Sequence, residues 1–200
     1  LSGLLYDKDS KTQWVDFSTA DPAQWTAFAE GQGSYYAGAM LDDMIYVHDG
    51  ERLARFDPDT YEVEDLGKIS ESWIWSDAAP APADENGNFG FLVGLCNGGT
   101  YLEMIKPQEG SLKYFSLTDH LADPMAAIAG TGSSTYQNKY PAENYLVVTE
   151  SGVLWSFTLY TKDGGKNYTL ARSELGQTDL DLGNVSDVTG GSYASMFWDE

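Results

Sequence analysis

The richest set of oxygen ligands in this 200-residue chain is Asp84-x-Asn86-Gly87-Asn88, with side-chain oxygens at alternate positions. Loops that wrap calcium use such alternation but close with a distal bidentate Glu, which is missing at the expected place. A glycine-bearing hairpin turn explains the same residues and is the preferred reading. Calcium is thus the only cofactor the chain suggests, with Asp84, Asn86 and Asn88 as its weak candidate ligands. Asp7-x-Asp9, and Asp179-x-Asp181 with Asn184, repeat the pattern less completely.

Other reactive side chains are sparse. His48 and His120 are too few and too far apart in sequence for a zinc site, and no His-Glu-x-x-His, Gly-x-Ser-x-Gly or phosphate loop occurs. Cys96 is the single cysteine, so no intrachain disulfide can form. It ends the apolar run Phe89–Cys96, where a buried structural thiol is expected. Carboxylate pairs such as Asp42-Asp43 arise by chance among 31 acidic residues. No catalytic residue is assigned. The enzymatic alternative is a glycoside hydrolase-like site of converging carboxylates, which requires a spacing that only three dimensions can provide.

Aromatic residues form 14% of the chain, enough to leave some for a surface. Trp73-Ile74-Trp75, and Tyr136 with Tyr140, are the candidates: exposed rings stack on sugars or anchor a protein partner. Core packing accounts for most of the others. Asn167-Tyr168-Thr169 and Asn184-Val185-Ser186 fit the glycosylation sequon at near-chance frequency.

Eleven Lys and Arg against 31 Asp and Glu give a formal charge of −20. Such a surface repels nucleic acid and anionic lipid and keeps the chain soluble. There is no apolar run of about eighteen residues, so no membrane-inserted helix is expected. The N-terminus lacks a signal-peptide layout, so a signal, if one exists, is removed or lies outside this sequence.

The elements that would hold these residues come from a repeat. Gly50-Glu51-Arg52-Leu53-Ala54-Arg55-Phe56-Asp57-Pro58-Asp59-Thr60 runs on through Val63 to Leu66-Gly67, and units from Gly3, Gly99 and Gly152 share its pattern of turn, strand, turn, strand. The anchoring glycines are 47, 49 and 53 residues apart. That period suits four short strands with their turns. Two further strands precede each later anchor: residues 35–41 and 44–48, 76–81 and 89–96, 125–131 and 144–149. The last pair is expected to be joined by a long loop through Tyr136 and Tyr140. The first strands are rich in Ala and Gly, as strands near a crowded axis must be, and the later ones carry the bulk.

The fold class expected is therefore all-β, a β-propeller of consecutive four-stranded antiparallel blades. The units are 1–32 (partial), 33–71, 72–121, 122–180 and 188–200 (partial). Residues 190–200 resemble 33–43, as though a new blade opens there. A segment of a larger propeller is favoured; the alternative is a closed ring of about four blades. Helix is expected at residues 21–30, where Asp21 caps and Pro22 starts it, and one turn at 119–122.

The string Leu53-x-x-Phe56-Asp57-Pro58-x-Thr60-x-x-Val63-x-x-Leu66-Gly67 resembles the outer strands of Kelch-like and quinoprotein-like blades in secreted bacterial surface proteins. The resemblance covers nearly the whole chain as a blade pattern and is detailed only in this unit. The Kelch double glycine with its paired aromatics, the Trp-Asp ending of WD40 repeats and the sialidase Asp-box are all missing. The resemblance implies an architecture and a secreted or cell-surface setting. The expected function is a non-catalytic binding or adhesion module for a protein or carbohydrate ligand, the alternatives being the glycoside hydrolase and a structural spacer.

Overall fold

The computed structural model describes residues 2–6, 12–16, 26–30, 37–48, 52–60, 62–68, 75–118 and 123–177. Every regular element among them is a strand. The first sheet holds β1 (Ser2–Tyr6), β2 (Thr12–Asp16) and β3 (Thr26–Glu30). The second holds β4 (Ala37–Leu41), β5 (Met44–His48), β6 (Arg52–Phe56) and β7 (Val63–Lys68). The third holds β8 (Trp75–Ala81), β9 (Phe91–Cys96), β10 (Tyr101–Lys106) and β11 (Gly110–Ser116). The fourth holds β12 (Met125–Tyr136), β13 (Tyr140–Thr149), β14 (Val153–Tyr160) and β15 (Thr169–Gln177). All neighbours pair antiparallel in sequence order, so each sheet is a meander.

Burial explains the stacking. The run Phe91-Leu92-Val93-Gly94-Leu95-Cys96 is buried at every position, because β9 is covered on both faces. One face (Phe91, Val93 and Leu95, with Leu102 and Met104) packs on Ile128, Tyr145, Val147, Phe157 and Leu159 of the fourth sheet. The other (Leu92, Cys96 and Ile105, with Ala78) packs on Leu41, Tyr46 and Leu53 of the second. Each large side chain so hidden contributes about 1.5–3 kcal/mol. The first strands of successive sheets meet, β4 against β8 and β8 against β12. Their Ala and Gly content permits this close approach, and β7, β11 and β15 are left at the outer edges.

Two expectations need correction. The segment expected to be helical supplies β3: Thr26, Ala27, Ala29 and Glu30 pair with Asp16, Val15, Trp14 and Gln13. The ladder to β2 overrides the local capping signal, and the first sheet gains a third strand where only two were expected. Gly3 consequently lies inside β1 and anchors no turn, whereas Gly99 and Gly152 occupy turns with φ of +72° and +84°. Second, the expected long loop at 132–143 is a ladder: β12 and β13 pair from Ser133↔Glu143 to Tyr136↔Tyr140. The hairpin turns at Gln137 and Asn138, both left-handed with φ of 53° and 54°. Asn144 Nδ2 ties its two strands by donating to Gly132 O and Ser134 Oγ, both at 2.8 Å. Residues 119–122 and 178–200, with the turn and the restarting blade expected there, lie outside the described residues.

A meander fixes which loops share a face. The β4–β5, β6–β7, β8–β9, β10–β11, β12–β13 and β14–β15 turns open on one face. The β9–β10 and β13–β14 turns open on the other.

Candidate loop-face binding site

The sequence candidates separate between these faces. Tyr136, Tyr140 and the 84–88 turn belong to the first face. Trp75 begins β8 opposite Cys96, at the strand end nearest the other face, and Trp73 lies outside the described residues.

On the first face the fourth blade carries a cluster. Register places Tyr136, Tyr140, Ala142 and Tyr160 on one side of the sheet, and Ala142 is buried. Because Ala142 is small, the rings of Tyr136 and Tyr160 come together across β13, with centroids 4.1 Å apart and planes 17° from parallel. Tyr140 lies 6.2 Å from Tyr160. Lys139 Nζ and Lys162 Nζ sit 4.9 and 5.3 Å from the Tyr140 centroid, in cation–π range. Sequence reading found Tyr136 and Tyr140 but missed Tyr160, Lys139 and Lys162. Adjacency of Lys139 to Tyr140 was visible; the partnership with Tyr160 depends on register.

The lysines of this tip differ from other basic residues whose side chains are described. Arg52 pairs with Asp65, Arg55 with Glu64 and Lys106 with Glu109, while Lys113 Nζ donates to Tyr168 O at 2.7 Å. Lys139, Lys162 and Lys166 pair with no carboxylate. The β12 half that leads to them is exposed over residues 131–135.

The 84–88 turn closes on itself. Asp84 Oδ1 accepts the Asn86 and Asn88 N–H groups at 3.0 and 2.8 Å, and Asp84 Oδ2 accepts Asn88 Nδ2 at 2.7 Å. Burial pushes this carboxyl up, and the three hydrogen bonds outweigh it, so that its pKa is lowered. The same clasp recurs in the β14–β15 loop, where Asp163 accepts Asn167 N–H at 2.9 Å and Nδ2 at 2.7 Å. Asn167, the acceptor of one sequon, therefore has its amide nitrogen engaged. No group of three or more His, Cys, Asp or Glu able to hold a metal occurs among the described residues.

The remaining reactive groups serve the framework. Burial pushes the Cys96 thiol up to about 12, far from a thiolate nucleophile. His48 is buried on β5; His120 is outside the described residues. Asp42 and Asp43 are the exposed β4–β5 turn itself, with φ of 51° and 62°. Asp77, the one carboxylate on the described first strands, accepts Ala78 N–H and, across the blades, Ile128 N–H at 2.7 Å.

No protein-family model matches the chain, and no curated protein matches it. Among solved structures it is similar to the WD40 domain of SCAP from fission yeast, at 15% identity and TM-score 0.50, over 88% of this chain and 39% of that one. It is also similar to BBS1N in complex with ARL6DN, at 12% identity and TM-score 0.47, over 86% of this chain and 49% of that one. The N-terminal domain of Nup159 aligns at 8% identity and TM-score 0.39, over 86% and 47%. The chain spans under half the length of each structure. Successive four-stranded meanders with adjoining first strands, in the arrangement of a WD40 domain, define the class: this is a β-propeller chain.

Proposed function

We propose that this chain is a non-catalytic binding module that meets its partner through the loop face of its propeller blades, at the tip of the fourth blade. The observation that carries this reading is the tyrosine stack of Tyr136 and Tyr160 beside Tyr140, over which two unpaired lysines sit, at the end of an exposed strand. Such a surface is already ordered before it meets a ligand, which lowers the entropic cost of binding. The partner is a protein or a carbohydrate.

The reading includes an extracellular or cell-surface setting and blades of the Kelch-like or quinoprotein-like kind. The signature around Phe56 supports the latter. Phe56 is fully buried, and Asp57 Oδ1 closes the following turn by accepting Asp59 and Thr60 N–H at 2.8 and 3.2 Å.

The test is binding of the whole chain to glycan and peptide arrays, beside a Tyr136→Ser/Tyr140→Ser variant of matched circular dichroism. Signals that fall at least about tenfold in the variant, some 1.4 kcal/mol, support the reading. Arrays without signal, or signals that the variant retains, overturn it.

A further inference from the structure

The arm formed by the outer half of β12 has an open edge. Among the described residues, strand order β12-β13-β14-β15 gives β12 a partner on one side only. Alternate residues of an antiparallel strand direct N–H and C=O away from that partner. Gly132 O receives Asn144 Nδ2, and the extra backbone bonds, Asn138 N–H to Thr135 O and Lys139 N–H to Tyr136 O, close the turn. Among the outward groups over residues 133–135, Thr135 O is taken by Asn138 N–H and the others have no partner. Two of the devices that guard natural edges, a charged side chain and a proline, are missing from residues 131–137, and a third, a bulge, lies at Gly130/Gly132 where the arm begins.

Charge identifies what fits there. In a chain of net charge −20, Lys139 and Lys162 have no carboxylate partner and are held over Tyr140, the residue paired with Tyr136 at the end of this arm. Neighbouring loops of the same face carry Asp42, Asp43, Asp57, Asp59 and Glu85, which repel a long polyanion. A short acidic segment reaches the lysines without crossing those loops. Unpaired backbone groups at strand spacing match another backbone and no polysaccharide. A second copy brings the same −20 charge and is repelled.

We propose that the β12 arm is a docking strand for an extended, carboxylate-rich peptide segment, which adds along residues 133–136 and sets acidic side chains against Lys139 and Lys162. This deepens the binding-module reading and rests on it: backbone pairing gives affinity, and the lysines select acidic sequences.

The test is fluorescence anisotropy of the whole chain with labelled hexapeptides that alternate Asp with Val or Thr, beside Lys-containing counterparts and peptides N-methylated at alternate amides in each register. Expected are binding by the acidic peptides, loss of at least about tenfold in a Lys139→Ala/Lys162→Ala variant, and weakening in about 0.5 M salt. N-methylation in one register abolishes binding at unchanged charge. These exposed lysines lie off the core, and a Lys139→Gln/Lys162→Gln variant repeats the measurement should the alanine pair misfold. The proposal is overturned if no acidic peptide binds up to about 1 mM, or if both N-methylated series bind like the parent. Binding by polygalacturonate alone, or self-association of the chain through this edge, overturns it too. If acidic peptides fail while the tyrosine variant still loses its array signal, strand addition falls and the binding-module reading stands.

Discussion

The hydroxyl of Tyr168, at the start of the fourth blade's last strand, accepts the backbone N–H of Phe89 in the third blade at 3.0 Å. The two rings lie 5.6 Å apart, and Phe91 meets Tyr168 edge-on at 5.0 Å. Phe89 has a φ of 68°, unusual for an aromatic residue, so this hydrogen bond and the packing hold it in place. Each ring directly follows the asparagine of an Asp-x-x-x-Asn clasp, 84–88 in one blade and 163–167 in the next. Two similar turns are thus coupled across the blade boundary.

Tyr168→Phe keeps the rings and removes the acceptor, which leaves a buried N–H unsatisfied. The expected loss is about 1–3 kcal/mol, each kcal/mol being roughly 2–4 °C in Tm for a chain this long. Urea unfolding of the variant checks it. An unchanged midpoint would show that the hydroxyl contributes nothing to the joint.

Asp84 gives a test of the calcium question. Its carboxylate already accepts three hydrogen bonds from its own turn, so a cation would have to displace the Asn88 amide. EDTA and added calcium are expected to leave Tm unchanged, while Asp84→Ala lowers stability by about 1–2 kcal/mol. Because the folded pKa is lowered, the stability it confers is present above the ordinary value of 3.8 and is lost as pH falls through the folded value. A calcium-dependent Tm that Asp84→Ala abolishes would restore the metal reading.

The architecture was legible because it depends on near-neighbour pattern. The short apolar run Leu53-Ala54 with Phe56 and the unbroken apolar run of β9 each report a strand buried on both faces. The failures came where distant partners decide. Ala27 and Ala29 read as helix until β2 supplies a ladder, and residues 131–135 are polar enough for a loop until residues 140–144 pair with them. The same limit hid the site. Tyr136 and Tyr140 are close in sequence, but Tyr160 joins them only because Ala142 leaves space for two rings to meet across a strand.

Glu143 predicts an opposite pH dependence to Asp84. Burial raises its carboxyl above the ordinary value of 4.5, Ser133 Oγ opposes this by donating to it, and the charge of Asp84 adds to the rise. The folded chain therefore holds this proton more tightly than the unfolded one. The associated stability is complete below 4.5 and is lost as pH rises through the folded value. Glu143→Gln removes that loss, so its stability relative to the unmodified chain should grow between about pH 4 and pH 7. A difference that stays flat across chemical denaturation series at those pH values would refute the assignment.

Gly99 and Gly98 form a matched pair for the joint on the opposite face. Both have left-handed φ, +72° and +61°, so alanine at either carries a backbone penalty of about 1–2 kcal/mol. Only Gly99 faces another blade: a Cβ there would lie 2.0 Å from Met125 O and 2.6 Å from Met125 N, whereas nothing lies within 4 Å at Gly98. Gly99 O also accepts the Met125 N–H at 3.0 Å, where the fourth blade begins. Gly99→Ala must push the two blades apart and break that bond, so its destabilisation should exceed that of Gly98→Ala by about 2 kcal/mol or more. Equal losses in thermal unfolding would mean that backbone strain alone governs both positions and that the close approach of Met125 is not rigid.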